Sequence, residues 1–279
     1  MKPACRSQPS REPVSRGFTA ALVRPPGKSF RLAISLHPER ELIDPERARH
    51  QHDAYCRVLA GMGVELIELP ADERHPDSCF TQDPALVLEG RALIGRLGTE
   101  SRADEAEAME RALASLVSAV DRLEAPATLE GGDVLRIGNR LLVGRSTRTN
   151  DAGIDALSAF AEPLGYTVHP VEVPRGVLHL STAVTALTDE LVIGLDEVLE
   201  NEVFRGMERL PVGGAPLASC NVLAIGEQVI ASGDYKAHNR LESRGFKVHR
   251  LDLSEFVRAD AGPTCLSLLI DRRPGSATA

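Results

Sequence analysis

Tryptophan is absent, and aromatic residues make up only 4% of the 279 positions. Readers of nucleic acid combine a basic surface with aromatic stacking platforms. This chain has a formal charge of -8 and no basic–aromatic patch, so no nucleic-acid partner is expected. No apolar run approaches the ~20 residues that cross a bilayer, so no membrane partner is expected either. The cysteines at positions 5, 56, 79, 220 and 265 form neither a CxxC pair nor a Cys/His ligand spacing. That excludes a zinc module, and an odd, scattered set reads as reduced thiols in a cytoplasmic protein. Residues 1–17 are polar and lack the apolar centre of a signal peptide, so they read as a disordered tail. Residues 273–279 read as a second tail, leaving 18–272 as one domain.

What is present is an apolar fraction of 43%, enough for a sizeable core. One stretch sets the pattern. Thr128-Leu-Glu-Gly-Gly-Asp133 leads into a short apolar strand, a Gly138-Asn139 turn and a second strand from Leu141 to Val143. A Gly-Asn pair between two apolar runs is a hairpin signal. The hairpin has an acid, Glu130, at its entrance and a base, Arg148, beyond its exit.

Echoes of it recur. Hairpins are expected from Ala85 to Gly95 about Glu89-Gly90, from His179 to Gly194, and from Asn221 to Ile230. A last strand, Cys265 to Ile270, is completed by Phe18 to Arg24. Helical patterns are expected over 44–62, 103–119, 151–162, 196–208 and 235–243. Three helices end in glycine before an alternating strand, at Gly63, Gly165 and Gly245. The order is strand–strand–helix–strand with a period of roughly 45–50 residues. No unit can bury its own hairpin. The expectation is therefore an α/β fold, a pseudo-symmetric propeller of five ββαβ blades in a single domain.

Asp83, Glu130, His179, Asn221 and Cys265 all fall at the start of the first hairpin strand of their unit. In a ring, that shared phase places them near the axis. Chemically they form a set. Cys265 is a candidate nucleophile, and His179 suits proton transfer near neutral pH. Carboxylates at Asp83 and Glu130 can grip a guanidinium by paired hydrogen bonds, and the bound cation would lower the Cys265 pKa. Thiolate attack at the guanidinium carbon, loss of an amine protonated by His179, and attack by water would give a urea. Asp77 is a further acid near the same rim, and Arg102 and Arg148 could hold a substrate carboxylate. Each residue alone has an ordinary reading. Cys265 could be a core thiol, His179 a structural histidine, Glu130 and Asp83 turn residues, and the arginines solvated charges. The common phase in the repeat favours the site.

Leu69-Pro-Ala-Asp-Glu-Arg-His-Pro-Asp-Ser78, Thr128-Leu-Glu-Gly-Gly-Asp133, Ser146-Thr-Arg-Thr-Asn150, Leu178-His-Leu180 and Thr264-Cys265 resemble, in order, the motifs of dimethylarginine dimethylaminohydrolases. These belong to the guanidino-modifying, or pentein, superfamily. The resemblance runs from about residue 18 to 270. It implies a five-bladed α/β propeller that hydrolyses Nω-methylated arginine to citrulline and a methylamine through a covalent cysteine intermediate, with no metal or other cofactor. By position, Cys265 would be the nucleophile and His179 the general acid/base. Glu130 would bind the guanidinium and orient His179. Asp77, Asp83 and Gln82 would contact the guanidinium and the amine end of the substrate. Arg102 and Arg148 would take the α-carboxylate, and Ile34 would belong to a lid after Arg24. The expected partner is a small cationic guanidino compound, and the chain could pair with a second copy as a homodimer.

Two positions separate relatives. Arginine deiminases carry an Asp two residues after the catalytic His, where this chain has His179-Leu-Ser181. That favours the methylarginine enzymes. Phe80-Thr-Gln-Asp83, however, carries Gln82 where those enzymes have Glu, and so resembles the deiminases. An arginine deiminase-like hydrolase and a non-catalytic guanidine-binding protein are the alternative expectations.

Overall fold

The computed structural model describes residues 18–233 and 236–271. The tails expected over 1–17 and 273–279 lie outside the described residues. Among the described residues, fifteen strands form five three-stranded sheets. β1 (Ala20–Val23) pairs in parallel with β2 (Glu65–Glu68). The second sheet holds β3 (Ala85–Leu88), β4 (Arg91–Ile94) and β5 (Ala119–Arg122), and the third β6 (Val134–Ile137), β7 (Arg140–Arg145) and β8 (Thr167–Glu172). Next come β9 (Val184–Ala186), β10 (Leu191–Gly194) and β11 (Glu208–Pro211), then β12 (Val222–Ile225), β13 (Gln228–Ser232) and β14 (Lys247–Leu251). β15 (Leu268–Ile270) returns to pair antiparallel with β1, so the last strand of the chain closes the first sheet. Every sheet has the same plan, an antiparallel pair, a hairpin in all but the first sheet, whose second strand pairs in parallel with the strand after the helix. The five-bladed ββαβ ring expected from the repeat is the fold.

Local chemistry sets the element ends. The helix Pro45–Gly61 begins at Asp44, whose side chain accepts from the backbone N–H groups of Glu46 and Arg47, with Pro45 in the first turn. Such a cap is worth about 1 kcal/mol. Gly63, Gly165 and Gly245 have φ of 88°, 88° and 91°, the left-handed conformation that turns a chain out of a helix.

Two helices are shorter than their sequence pattern. The helix expected over 103–119 spans Glu105–Leu113, and its last expected residue, Ala119, opens β5 against Arg91–Ile94. The pattern over 196–208 gives one turn, Asp196–Leu199, and a 3-10 turn, Glu202–Phe204, before β11. In both blades the last residue of the expected helix, Ala119 or Glu208, pairs instead with the open edge of the central strand. The hydrogen bonds of a sheet edge outweigh a helix end worth a few tenths of a kcal/mol per residue.

The apolar clusters fall between blades. Ala20 and Leu22 of β1 pack with Ala85, Val87, Ala92 and Ile94 of the next blade. Leu88 and Leu93 pack with Leu141 and Val143, Leu135 and Leu142 with Val184 and Val192, and Leu191 and Ile193 with Val222 and Val229. Leu223 and Ile230 close the circle against Ala21, Val23, Phe30 and Tyr55. Each core is shared by two neighbours, so the blades stand or fall together. Among the described residues no helix is long and apolar enough to cross a membrane.

Candidate active site

The first strand of each blade is entered from a turn at the ring axis, and that turn carries the reactive residue. Glu130 precedes a 3-10 turn, Gly131–Asp133, and His179 precedes the helical turn Leu180–Ala183. Cys265 lies within the 3-10 turn Pro263–Leu266, and Asn221 directly follows the turn Leu217–Ser219 and Cys220. Asp83, Glu130, His179, Asn221 and Cys265 are all buried. Ile34, Asp77, Asp83, Arg102, Arg148, His179 and Cys265 line one cavity, joined by Phe80, Leu178, Ala259, Asp260 and Ala261.

Glu130 stands behind His179. Its Oε2 lies 2.7 Å from His179 Nε2, while Oε1 accepts from the Gly98 N–H at 2.9 Å and sits 3.6 Å from the Arg148 guanidinium. It does not line the cavity. Burial disfavours charge on both partners, but the hydrogen bond and the neighbouring charges outweigh it. Glu130 is held below the usual carboxylate range, and His179 is raised to about 9 by Asp83, Glu130 and Asp133. Asp133 accepts from Ser146 Oγ at 2.6 Å and from the Leu180 N–H at 3.0 Å, tying the Arg148 loop to the His179 turn.

Asp83 divides its carboxylate. Oδ2 accepts from Arg102 at 2.8 Å. Oδ1 is buried without a hydrogen-bond partner and lies 3.9 Å from His179 Nδ1. It is a carboxylate oxygen of the cavity ready for a donor. A Cβ added at Gly132 would come within 2.8 Å of both Asp83 Oδ1 and His179 Nδ1, so only glycine lets the chain pass behind this pair.

Burial, and then the Asp83 charge, push the Cys265 thiol up to about 11. Asn221 works against them. Its amide donates to Thr264 Oγ1 at 2.9 Å and reaches Cys265 Sγ at 3.9 Å, while its oxygen accepts from the Thr264 N–H at 3.0 Å. Thr264 also faces the sulfur at 3.9 Å. A thiol this insulated stays protonated at neutral pH until a cation arrives beside it.

The two arginines differ. Arg102 is saturated by the protein, with Glu105 at 3.0 and 2.9 Å, Asp83 at 2.8 Å and the Asp77 carbonyl at 3.4 Å. Arg148 bonds Thr99 Oγ1 and approaches Glu130 through one nitrogen, Nη1. Glu105 was missed in the sequence, although its i,i+3 spacing from Arg102 is the signal for such a pair. Asp77, Asp83, Glu105 and Glu130 are buried beside Arg102, Arg148 and the protonated His179, and of the four carboxylates Asp83 keeps an oxygen without a hydrogen-bond partner. The cluster favours a cationic ligand.

Asp77 fastens the lid. Its carboxylate accepts from the Ile34 N–H at 3.1 and 3.4 Å, and burial, partly offset by Arg102, pushes it up to about 6. Asp260 takes the next residues, accepting from the Leu36 N–H at 2.6 Å and Ser35 Oγ at 2.9 Å. Under the lid, Phe30, Phe80 and Phe256 stack with ring centroids 5.3 to 6.5 Å apart. Gln82 goes elsewhere. It lines a separate cavity of about 130 Å³ together with Ser181, Thr185 and Thr264, and its Oε1 is buried without a partner. Its backbone N–H donates to the Cys265 carbonyl. Asp83, Glu130 and His179 also lie close enough together to hold a metal ion. The 2.7 Å contact between His179 and Glu130 already engages two of the three, and the donor set is equally that of a guanidinium site.

The family model described as arginine deiminase matches residues 73–214. N(G),N(G)-dimethylarginine dimethylaminohydrolase of Streptomyces coelicolor is 39% identical over 249 residues, covering 89% of this chain and 95% of that protein. The protein of the same name from Pseudomonas aeruginosa is 31% identical over 252 residues, covering 86% of this chain and 99% of its own. A solved structure of the Pseudomonas aeruginosa protein, a cysteine-to-serine mutant complexed with citrulline, matches with a TM-score of 0.84 over 90% of this chain and 99% of that one, at 31% identity. The N-terminal domain of a cyanobacterial arginine dihydrolase shares the fold, with a TM-score of 0.81 at 19% identity over 91% of this chain and 99% of that one.

Proposed function

This chain belongs to the dimethylarginine dimethylaminohydrolase family, and we propose that it hydrolyses Nω-methylated arginine to citrulline and methylamine or dimethylamine through Cys265. The observation that carries the reading is the unpartnered, buried Asp83 Oδ1 in the cavity that Cys265 and His179 line. A guanidinium supplies the missing donor and brings the positive charge that Cys265 needs to ionise.

Each residue then has a step. Cys265 gives its proton to solvent as the cation binds, and its sulfur attacks the guanidinium carbon. His179, protonated and held by Glu130, gives its proton to the substituted nitrogen. That C–N bond breaks and the amine leaves, with a thiouronium on Cys265 remaining. Water adds to the same carbon, the now neutral His179 takes one of its protons, and the C–S bond breaks to release citrulline as the second proton passes to solvent. Asn221 and Thr264 face the sulfur as it gains and regains charge. Arg148, with donors left over, takes the α-carboxylate. Asp77 takes the α-ammonium beneath Ile34. Arg102 acts through Asp83 as a positioning residue, in place of the anchoring role first expected of it. Gln82 belongs in this reading to the separate cavity.

Arginine and agmatine are the competing substrates, because the matched family model bears the deiminase name. The His179-Leu-Ser181 sequence, with no acid to hold an unsubstituted amino group, favours the methylated ones. The test is citrulline release from asymmetric dimethylarginine, monomethylarginine, arginine and agmatine. Methylated substrates should lead by at least tenfold, with all activity lost in Cys265→Ser. Faster turnover of arginine would move the protein to the deiminases. Stoichiometric binding without product would make it a guanidine-binding protein. The free thiols at Cys56, Cys79, Cys220 and Cys265 suit a reducing, cytoplasmic setting. Light scattering tests the homodimer.

A further inference from the structure

The cavity that holds Cys265 is small, about 20 Å³, which is room for about one water. A second cavity of about 260 Å³ adjoins it, and the two share Leu178, Asp260 and Ala261 in their walls. The larger one reaches the chemistry at Asn221, whose amide is 3.9 Å from Cys265 Sγ. Its wall is apolar at Val177, Leu178, Leu217 and Ala218. Its one buried hydroxyl without a hydrogen-bond partner among the described residues, Thr182 Oγ1, marks a polar end.

The order of blades fixes what this chamber faces. Around the axis the reactive residues run Cys265, Asp83, Glu130, His179, Asn221, and back to Cys265. Asp83 occupies one arc and grips the guanidinium, with Glu130 beside it holding His179 from behind. The opposite arc, His179 to Asn221, is where the chamber opens, between Leu178 and Thr182 on one side and Asn221 on the other. In the proposed reaction the nitrogen that leaves is the one His179 protonates. Its substituents therefore point into that arc.

We propose that the chamber receives the substituents of the leaving nitrogen and admits groups larger than two methyls. Unbranched N-alkyl chains of three or four carbons fit its size and its apolar wall. The substrate class is then Nω-alkylated arginine in general, and the products are citrulline and the corresponding alkylamine. The bonds made and broken are those of the methylated substrate, and no further reactant enters. This inference rests on the function proposed above.

The test compares kcat/KM for Nω-propyl-L-arginine and asymmetric dimethylarginine in the wild type, Ala218→Leu and Val177→Phe, with circular dichroism to check folding. A pocket too short by one methylene rejects a substrate by about 10–200-fold. The wild type is expected to turn over the propyl substrate within about tenfold of the dimethyl one. Ala218→Leu, which fills the chamber from a turn away from the sulfur, is expected to lower the propyl-to-dimethyl ratio at least tenfold. Val177→Phe, on the opposite wall, should do the same if Ala218→Leu does not fold. Wild-type turnover of dimethylarginine with propylarginine rejected by more than a hundredfold would overturn the chamber and leave the function standing. A ratio unchanged in every folded variant would overturn it too. Turnover of propylarginine alone would keep the chamber and remove the methylarginine assignment, and turnover of neither would remove both.

Discussion

His179 Nε2 and Glu130 Oε2 meet at 2.7 Å in the middle of the ring, with the carboxylate wholly shielded from water. The pair is built from two blades whose entry turns arrive at the axis side by side. Burial opposes both charges, yet each partner makes the other's charged form the cheaper one, helped by Asp83 and Asp133 on the imidazole and by the arginines on the carboxylate. His179 is thereby kept protonated across the neutral range, which suits it to give a proton to a departing amine.

Glu130→Gln keeps the shape and removes the charge. His179 should then fall from about 9 toward 6.5, and the alkaline limb of kcat/KM should move to lower pH with it. Loss of a positioned acid costs about 10²–10⁴-fold, and the loss should be largest near pH 8 and smaller near pH 6. A folded-state pKa raised above the unfolded one gives stability that is complete below about pH 6.5 and is lost as the pH rises through about 9. Melting temperature should decline over that window in the wild type and less in Glu130→Gln. An alkaline limb that stays in place would remove His179 from the proton-transfer role.

The resting Cys265 thiol, pushed up to about 11 by burial and then by Asp83, should be a poor nucleophile by itself. At pH 7 its thiolate fraction is roughly one in ten thousand. The thiolate ultraviolet absorbance, with Cys265→Ser as the blank, should titrate near 11 in the free protein and lower once a guanidinium ion is bound. Asp83→Asn should lower the free thiol's pKa and still abolish turnover, because the carboxylate that hinders ionisation is the one that grips the substrate. A thiol already ionised at neutral pH without ligand would contradict this.

The ring and most of the site were legible because both depend on repetition. Gly63, Gly165 and Gly245 mark three helix ends in the same phase, and the five reactive residues share one position in the repeat. β5 and β11 were hidden because the pairing that creates them joins the open edge of a strand more than ten residues away, which no local window sees. Gln82 shows the other limit. It neighbours Asp83 in the turn that precedes β3, and that turn sends one side chain into the site and the other into the cavity beyond. The approach of Asn221 to Cys265 joins blades 44 residues apart, and no motif announces it.

Arg102 and Arg148 should separate in mutagenesis. Arg102 is enclosed by Glu105 and Asp83, and breaking a buried pair of this kind costs about 3–5 kcal/mol. Arg102→Ala should therefore show mainly as lost stability in urea unfolding. Arg148→Ala should raise KM for substrates that carry an α-carboxylate and leave the decarboxylated analogue little changed. Equal effects of Arg148→Ala on both would remove it as the carboxylate anchor.

Asp77 links the lid to pH. Its carboxylate holds the Ile34 N–H at 3.1 Å and titrates at about 6, above its ordinary 3.8, because it is buried. Two effects of opposite sign follow. A raised acid favours the protonated folded state, so ionising Asp77 costs the fold stability as the pH climbs from about 4 to 6, and this group adds nothing to acid unfolding through that window. The neutral acid is also a weaker acceptor, so the same protonation loosens the lid. Hydrogen exchange of residues 30–36, corrected for intrinsic rate, should therefore quicken as the pH falls through about 6 while core amides hold. KM for the α-ammonium substrate should rise over the same interval. In Asp77→Asn both dependences should flatten, with the lid already fast at pH 7. Lid exchange that follows the core at every pH would show that Asp77 is no latch.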